Sequence, residues 1–279
     1  MLINCNAKIN IALEILNKRK DNFHNINTIF QKICIADKLT IEKSNNFEFI
    51  FNSNLDIPLK ENLAFRATEI FRKMYHFDNL PVKIFLDKRI PAGAGLGGGS
   101  TDAANVLKGL IRFFDLPFDN EKLSSIATEL GSDIPFFLLD ETSAVANGRG
   151  EVLNGFNMQL PYYLLLVMPD IHISTAKAYQ LLNRDSTKKY ETDFSSVRNI
   201  IIDEPQKMKD IFKNDFEAVV FDEYPELAEI KKQLYDIGAF FALMSGTGST
   251  IYGMFEEEQS LKAAVENFSH YRIEICQPV

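Results

Sequence analysis

The stretch PAGAGLGGGSTDAA, residues 91–104, carries the reading of this chain, because five of the nine residues from Gly93 to Thr101 are glycine. Glycine loses more chain entropy on ordering than any other residue, so a run this dense needs a reason. A tight turn or close helix–strand packing accounts for one or two of them, not for Gly93, Gly95, Gly97, Gly98 and Gly99 together. Glycines at positive φ turn successive N–H groups towards one point, and the missing Cβ atoms let an anion come close to the backbone. VKIFLD (82–87) just before reads as a strand, and Ala103, Leu107, Leu110, Ile111 and Phe114 just after recur at helical spacing. Ser100, Thr101 and Asp102 supply N-cap chemistry where that helix should begin. A glycine loop feeding the amide-rich, dipole-positive end of a helix reads as a phosphate site.

Three phosphate loops compete for this pattern. A Walker loop needs a lysine directly after its last glycine, and here Ser100 follows Gly99. A protein-kinase loop needs a strand lysine and catalytic and metal-binding motifs that the chain lacks. The dinucleotide pattern is matched by Gly93, Gly95 and Gly98, but that fold returns to a second parallel strand ending in an acidic residue. Here Phe118 to Leu130 reads as another helix.

A chain of 279 residues with 46% hydrophobic residues supports one or two domains, and a boundary between Asn154 and Pro161 favours two. With 38 acidic and 30 basic residues the net charge is -8, and no basic tract is present, which excludes a general polyanion binder but not a small anionic ligand. We expect no nucleic-acid partner. Cys5, Cys34 and Cys276 are odd in number and lack metal-ligand spacing, so they read as reduced, buried thiols. His76, His172 and His270 share no spacing and are assigned no metal. The N-terminus has no leader pattern and the longest apolar run, Tyr162 to Met168, is too short for a bilayer, so a cytoplasmic protein without a membrane partner is expected.

Ala7, Ile9, Ile11 and Leu13 alternate with Lys8, Asn10 and Ala12, as in a half-buried strand that puts Lys8 and Asn10 on one face. Residues 39–51 read as two strands joined at Ser44-Asn45-Asn46, Glu61 to Phe77 as a helix, and Glu121 to Leu130 as a second helix. SAVANGRGEVL is a strand–turn signal, PYYLLLVMP a buried strand, and FFALMSGTGSTIYGMF two strand-like runs around a second glycine loop. The chain closes on the strand YRIEIC. Strands and helices mix without a regular repeat, which gives an α+β fold rather than a doubly wound sheet.

With PAGAGLGGGSTDAA in place, the chain resembles the GHMP kinases, whose signature is a P-x-G-x-G-L-G-x-S-[ST]-like loop. NAKINIAL, FHNINTIFQ (23–31), GSDIPFF (131–137), HISTAKAY and MSGTGSTIY resemble, in order, the further motifs of its branch that acts on a cytidine diphosphate conjugate of methylerythritol. The likeness is thin between roughly residues 183 and 231. The family implies a two-domain α+β fold with the active site in the cleft between domains, here an ATP-binding domain over residues 1–155 and a C-terminal domain over 156–279. It implies transfer of the ATP γ-phosphoryl to the 2-hydroxyl of that conjugate, with Mg²⁺, in the non-mevalonate route to isoprenoid precursors, by a monomer or weak homodimer.

Residue by residue, the resemblance puts the ATP phosphates on Pro91, Ala92, Gly93, Ala94, Gly95, Leu96, Gly97, Gly98, Gly99, Ser100 and Thr101, with the Ser100 hydroxyl available to a phosphate or to Mg²⁺. Asn62 and Lys88 are adenosine-side contacts. From the residues alone Asp133 is equally a helix-end cap or a catalytic carboxylate; the motif match makes it the group that accepts the attacking hydroxyl's proton, with Lys8 as the ammonium that steadies charge. Asn10, Phe23, His24 and Tyr179 fall on the acceptor side, the base stacking between Phe23 and Tyr179. Two departures stand out: Asn6 where the family has proline, and Asn22-Phe23-His24 where it has Gly-Tyr-His. Phe23 keeps a stacking face and lacks a hydroxyl.

Overall fold

The computed structural model describes residues 1–52, 57–77, 79–182 and 192–276. These divide into two units: Met1–Ala7, Ile35–Ala92 and Gly97–Asp140 in the first, Lys8–Cys34, Gly93–Leu96 and Glu141–Val279 in the second. Two long strands, β1 (Leu2–Lys18) and β2 (His24–Lys43), each contribute to both.

In the first unit, β3 (Glu48–Asn52) follows the Ser44–Asn46 turn, helix α1 (Leu63–Met74) comes next, and β4 (Val82–Asp87) covers the residues the spacing predicts. The C-terminal part of β2 pairs antiparallel with β4, from Lys43↔Val82 to Lys38↔Asp87, while β3 lies parallel to β4 on its other side. Helix α2 (Gly98–Phe113) packs against α1, and α3 (Asn120–Leu130) and the short α4 (Ile134–Leu138) follow it. Phe71, Ile84, Leu86, Leu107 and Leu110 are fully buried. The element after α2 is thus a helix, which removes the dinucleotide reading.

In the second unit, the N-terminal part of β2 pairs antiparallel with β5 (Ser143–Asn147), and β5 with β6 (Val152–Phe156) across a turn in which Gly148 has φ 69° and Gly150 φ 118°. Beyond it lie β7 (Tyr163–Met168), α5 (Thr175–Leu182), α6 (Val197–Asp203), α7 (Met208–Ile211), α8 (Glu217–Glu223), α9 (Pro225–Asp236), β8 (Phe241–Met244), β9 (Ile251–Phe255), α10 (Glu258–Val265) and β10 (Arg272–Cys276). The last four strands form one antiparallel sheet in the order β10-β7-β9-β8. Leu165, Val167, Phe216, Ile230, Leu234, Phe255 and Phe268 belong to its core. Among the described strand pairs between named strands only β3 and β4 run parallel, as an α+β fold requires.

Three expectations change. β1 is not half-buried: every residue from Ala7 to Leu16 is buried, Lys8 and Asn10 included, because their polar groups bond within the protein. Helix α2 starts at Gly98, inside the glycine run, so Ser100, Thr101 and Asp102 are helical residues and not its cap. Cys5 and Cys276 are buried, but Cys34 is exposed, because the two-residue period of β2 buries Ile33 and Ile35 and turns the residue between them outward.

Candidate active site

The glycine loop is held at both of its flanks. Gly93, Gly95 and Gly97 all take left-handed φ, at 69°, 77° and 70°. At Gly95 a Cβ would also run into the Ser245 carbonyl, so the SGTGS loop (245–249) packs directly on this segment. Ser245 Oγ donates to the Gly95 carbonyl at 2.8 Å, Lys8 N to that of Leu96 at 3.0 Å and Thr250 N to that of Ala94 at 3.4 Å. Carbonyls, not amides, make these anchoring bonds, so anchoring leaves the loop's N–H groups for a ligand. Gly97 then caps α2 with no side chain, and Gly99 and Ser100 lie in the first turn. The first-turn amides of a 16-residue helix thereby open at the loop without a side-chain cap, the arrangement that favours a phosphate.

The expected residues of the first unit are placed as follows. Asn62 is the N-cap of α1, its Oδ1 accepting from Ala64 N at 2.9 Å and Phe65 N at 3.3 Å. Lys88 lies in a buried cluster, where its ammonium bonds to both Asp37 and Asp102, the latter at 2.6 Å. Burial alone would lower this ammonium, but the two carboxylates outweigh it and hold its pKa raised. Burial drives the Asp102 carboxyl up, against the pull of Lys88 and with Asp37 adding to the rise. The Cys5 thiol beside them is likewise raised by burial and by both carboxylates. Asp133 stands at the N-cap of α4, half-buried, ahead of Pro135, and its side chain makes no capping bond. Ordinary capping is therefore not its duty.

In the second unit Lys8 is 3% and Asn10 2% exposed. The Lys8 ammonium donates to Asn10 Oδ1 at 2.6 Å and sits 5.2 Å from the centre of the Phe30 ring. Asn10 Nδ2 donates to Thr28 Oγ1 at 2.8 Å, Thr28 to the Ala12 carbonyl, and Tyr252 OH to the Asn10 carbonyl at 2.9 Å. A solvated surface lysine would show none of this; here an amide and an aromatic face orient the charge.

Phe23, His24 and Tyr179 line one cavity of about 620 Å³, with Lys18, Asn22, Thr175, Ala176 and Gln180. Asn22 takes φ 68°, a conformation asparagine tolerates, which explains how it stands where the family has glycine. The His24 and Tyr179 rings stack on each other at 5.0 Å and 16°. Phe23, 50% exposed, carries the Arg149 guanidinium 4.7 Å from its ring centre. Arg149 went unread because a turn of the NGRG type only announced a reversal. A larger cavity of about 740 Å³ in this unit is lined by Asn27, Asn147 and Thr192 among others. Their polar atoms bond to one another and to the buried Glu14, and none of the expected site residues faces it.

The family model described as "GHMP kinases N terminal domain" matches residues 62–141, and "GHMP kinases C terminal" matches 200–273. A 4-diphosphocytidyl-2-C-methyl-D-erythritol kinase of Chlorobium phaeobacteroides (strain BS1) is 36% identical over 98% of this chain and 95% of its own length. One of the same name from Azobacteroides pseudotrichonymphae genomovar. CFP2 is 40% identical over 90% of this chain and 92% of its own. A solved structure of 4-(cytidine 5'-diphospho)-2C-methyl-D-erythritol kinase superposes with a TM-score of 0.84 at 30% identity, covering 100% of this chain and 99% of the other. With both domain models matched and relatives this similar over nearly its full length, the chain belongs to the GHMP kinase family.

Proposed function

We propose that this chain is an ATP-dependent kinase that phosphorylates the 2-hydroxyl of 4-diphosphocytidyl-2-C-methyl-D-erythritol, giving the 2-phosphate and ADP. The observation that carries the reading is the glycine-opened, uncapped start of α2 in a chain similar over nearly its whole length to kinases of that name. The reaction places the protein in the non-mevalonate route to isoprenoid precursors. Residues 1–155 act as the ATP-binding domain and 156–279 as the C-terminal domain. We take the protein to be cytoplasmic, a monomer or weak homodimer, acting on small molecules and not on nucleic acid or membrane.

Phosphoryl transfer asks a protein for alignment and charge stabilisation more than for covalent chemistry. The loop amides of residues 91–101 hold the ATP phosphates, Asn62 contacts the adenosine side, and Lys88 serves that side from beneath the loop, through its ion pairs with Asp37 and Asp102 rather than by touching the nucleotide. Asp133 accepts the proton of the attacking hydroxyl as the new P–O bond forms and the bond to the ADP oxygen breaks. Lys8, oriented by Asn10, steadies the developing charge. Phe23, His24 and Tyr179 take the cytosine, stacking and hydrogen-bonding it. The residues present fit a Mg²⁺ that arrives on the nucleotide, with Ser100 offering one hydroxyl in the first turn of α2. Mg²⁺, when bound, neutralises phosphate charge.

ADP release measured against this acceptor, mevalonate, homoserine and galactose tests the assignment. Turnover with the cytidine conjugate alone is expected; turnover only with one of the other three overturns it.

A further inference from the structure

We propose that Asp37, Lys88 and Asp102 form a buried clamp that sets the distance between the two ends of the glycine loop, and so positions its amides for ATP without touching the reacting atoms. This rests on the loop being the ATP phosphate site.

The geometry begins where the sheet stops. Lys38↔Asp87 is the last pair of the β2–β4 ladder. One residue beyond it, the Asp37 carboxylate takes over: it accepts from Arg89 N and, at 2.7 Å, from Ile90 N, and pairs with the Lys88 ammonium. Three consecutive residues leaving β4 are thus tied to one side chain just before Pro91. From there the ammonium reaches Asp102 on the first turns of α2 at 2.6 Å, which ties the loop's far end to the same point. The helix entry packs on the cluster as well: a Cβ at Gly98 would meet Ile90 Cγ2 at 2.9 Å and Lys88 Nζ at 3.4 Å.

Energetics argues against a role in stability alone. The side chains of Asp37, Lys88 and Asp102 are 0%, 12% and 3% exposed, and two carboxylates share one ammonium. Asp102 Oδ1 is buried without a hydrogen-bond partner among the described residues. A buried ion pair is often no more stabilising than packed apolar side chains, and an excess buried carboxylate is worse. What the cluster does supply is a fixed separation between strand exit and helix entry, which apolar contacts, being non-directional, supply poorly.

The test is ATP affinity measured by calorimetry without acceptor, with Tm and both KM values, on Asp102→Ala, Asp102→Asn, Lys88→Met and the Lys88→Met/Asp102→Ala double variant. Asp102→Ala and Lys88→Met are expected to weaken ATP binding tenfold or more at a temperature where both are folded, leaving the acceptor KM within about twofold. Asp102→Asn, which keeps an acceptor and the same shape and is the variant expected to fold in any case, restores ATP affinity to within about threefold. The double variant is no weaker for ATP than Lys88→Met alone. The clamp is overturned by lowered Tm with unchanged ATP affinity, or by Lys88→Met weakening ATP while Asp102→Ala does not, which would make Lys88 a direct nucleotide contact. Absence of ATP binding by the unaltered protein would sink the kinase reading itself, a result separate from either.

Discussion

Helices α1 and α2 pack side by side in one unit and begin in opposite ways. α1 opens on Asn62, whose side chain meets two first-turn amides. α2 opens on Gly97, at φ 70°, with no side chain to do so. The serine, threonine and aspartate that would suit a cap lie one turn too late. Thr101 instead accepts from Asn105 Nδ2 at 3.1 Å through its hydroxyl, and Asp102 pairs with Lys88. The first helix end is closed by its own sequence, which favours stability. The second is left without a side-chain cap, as the proposed phosphate site needs, and the charge beneath it pairs with Lys88 instead of closing it.

If α2 holds phosphate while the proton transfer belongs to other elements, the two can be separated. Lys8→Ala and Asp133→Ala should lower kcat by about 10²–10⁴-fold while ATP still binds. Near-normal turnover in either removes that residue from the mechanism. Giving α2 the kind of start α1 has should be costly next: Gly97→Asp puts a carboxylate at the loop and a side chain at positive φ, and ATP affinity measured by calorimetry should drop more than tenfold. Unchanged affinity would mean that the phosphates lie elsewhere. The smallest effect belongs to α1. Asn62→Ala removes a cap worth about 1 kcal/mol and should lower Tm by about 2–4 °C. An accompanying rise in ATP KM would support the adenosine-side contact proposed for Asn62, and an unchanged KM would leave it a cap only.

The elements themselves were largely legible. β4 covers the residues read from VKIFLD, α3 runs from Asn120 against a reading from Glu121, and α1 is shorter than the Glu61–Phe77 pattern by a few residues at each end. Phe23 and His24 of FHNINTIFQ and Tyr179 of HISTAKAY do share a cavity, but their stacking partners, Arg149 for Phe23 and His24 for Tyr179, could not be read from either stretch. Part of the stretch thin in resemblance, residues 183–191, lies outside the described residues.

Periodicity and glycine chemistry are local, and they act over a few residues through sterics and φ preference. That is why the strand–loop–helix unit and the α+β class could be had from spacing. Burial and partnership are not local. Lys8 is an oriented, buried ammonium because Asn10, itself held by Thr28, and Phe30 converge on it, and Lys88 is a clamp because residues 51 and 14 positions away meet it. A lysine carries the same charge wherever it stands in a sequence; folding alone settles whether water or a carboxylate answers it.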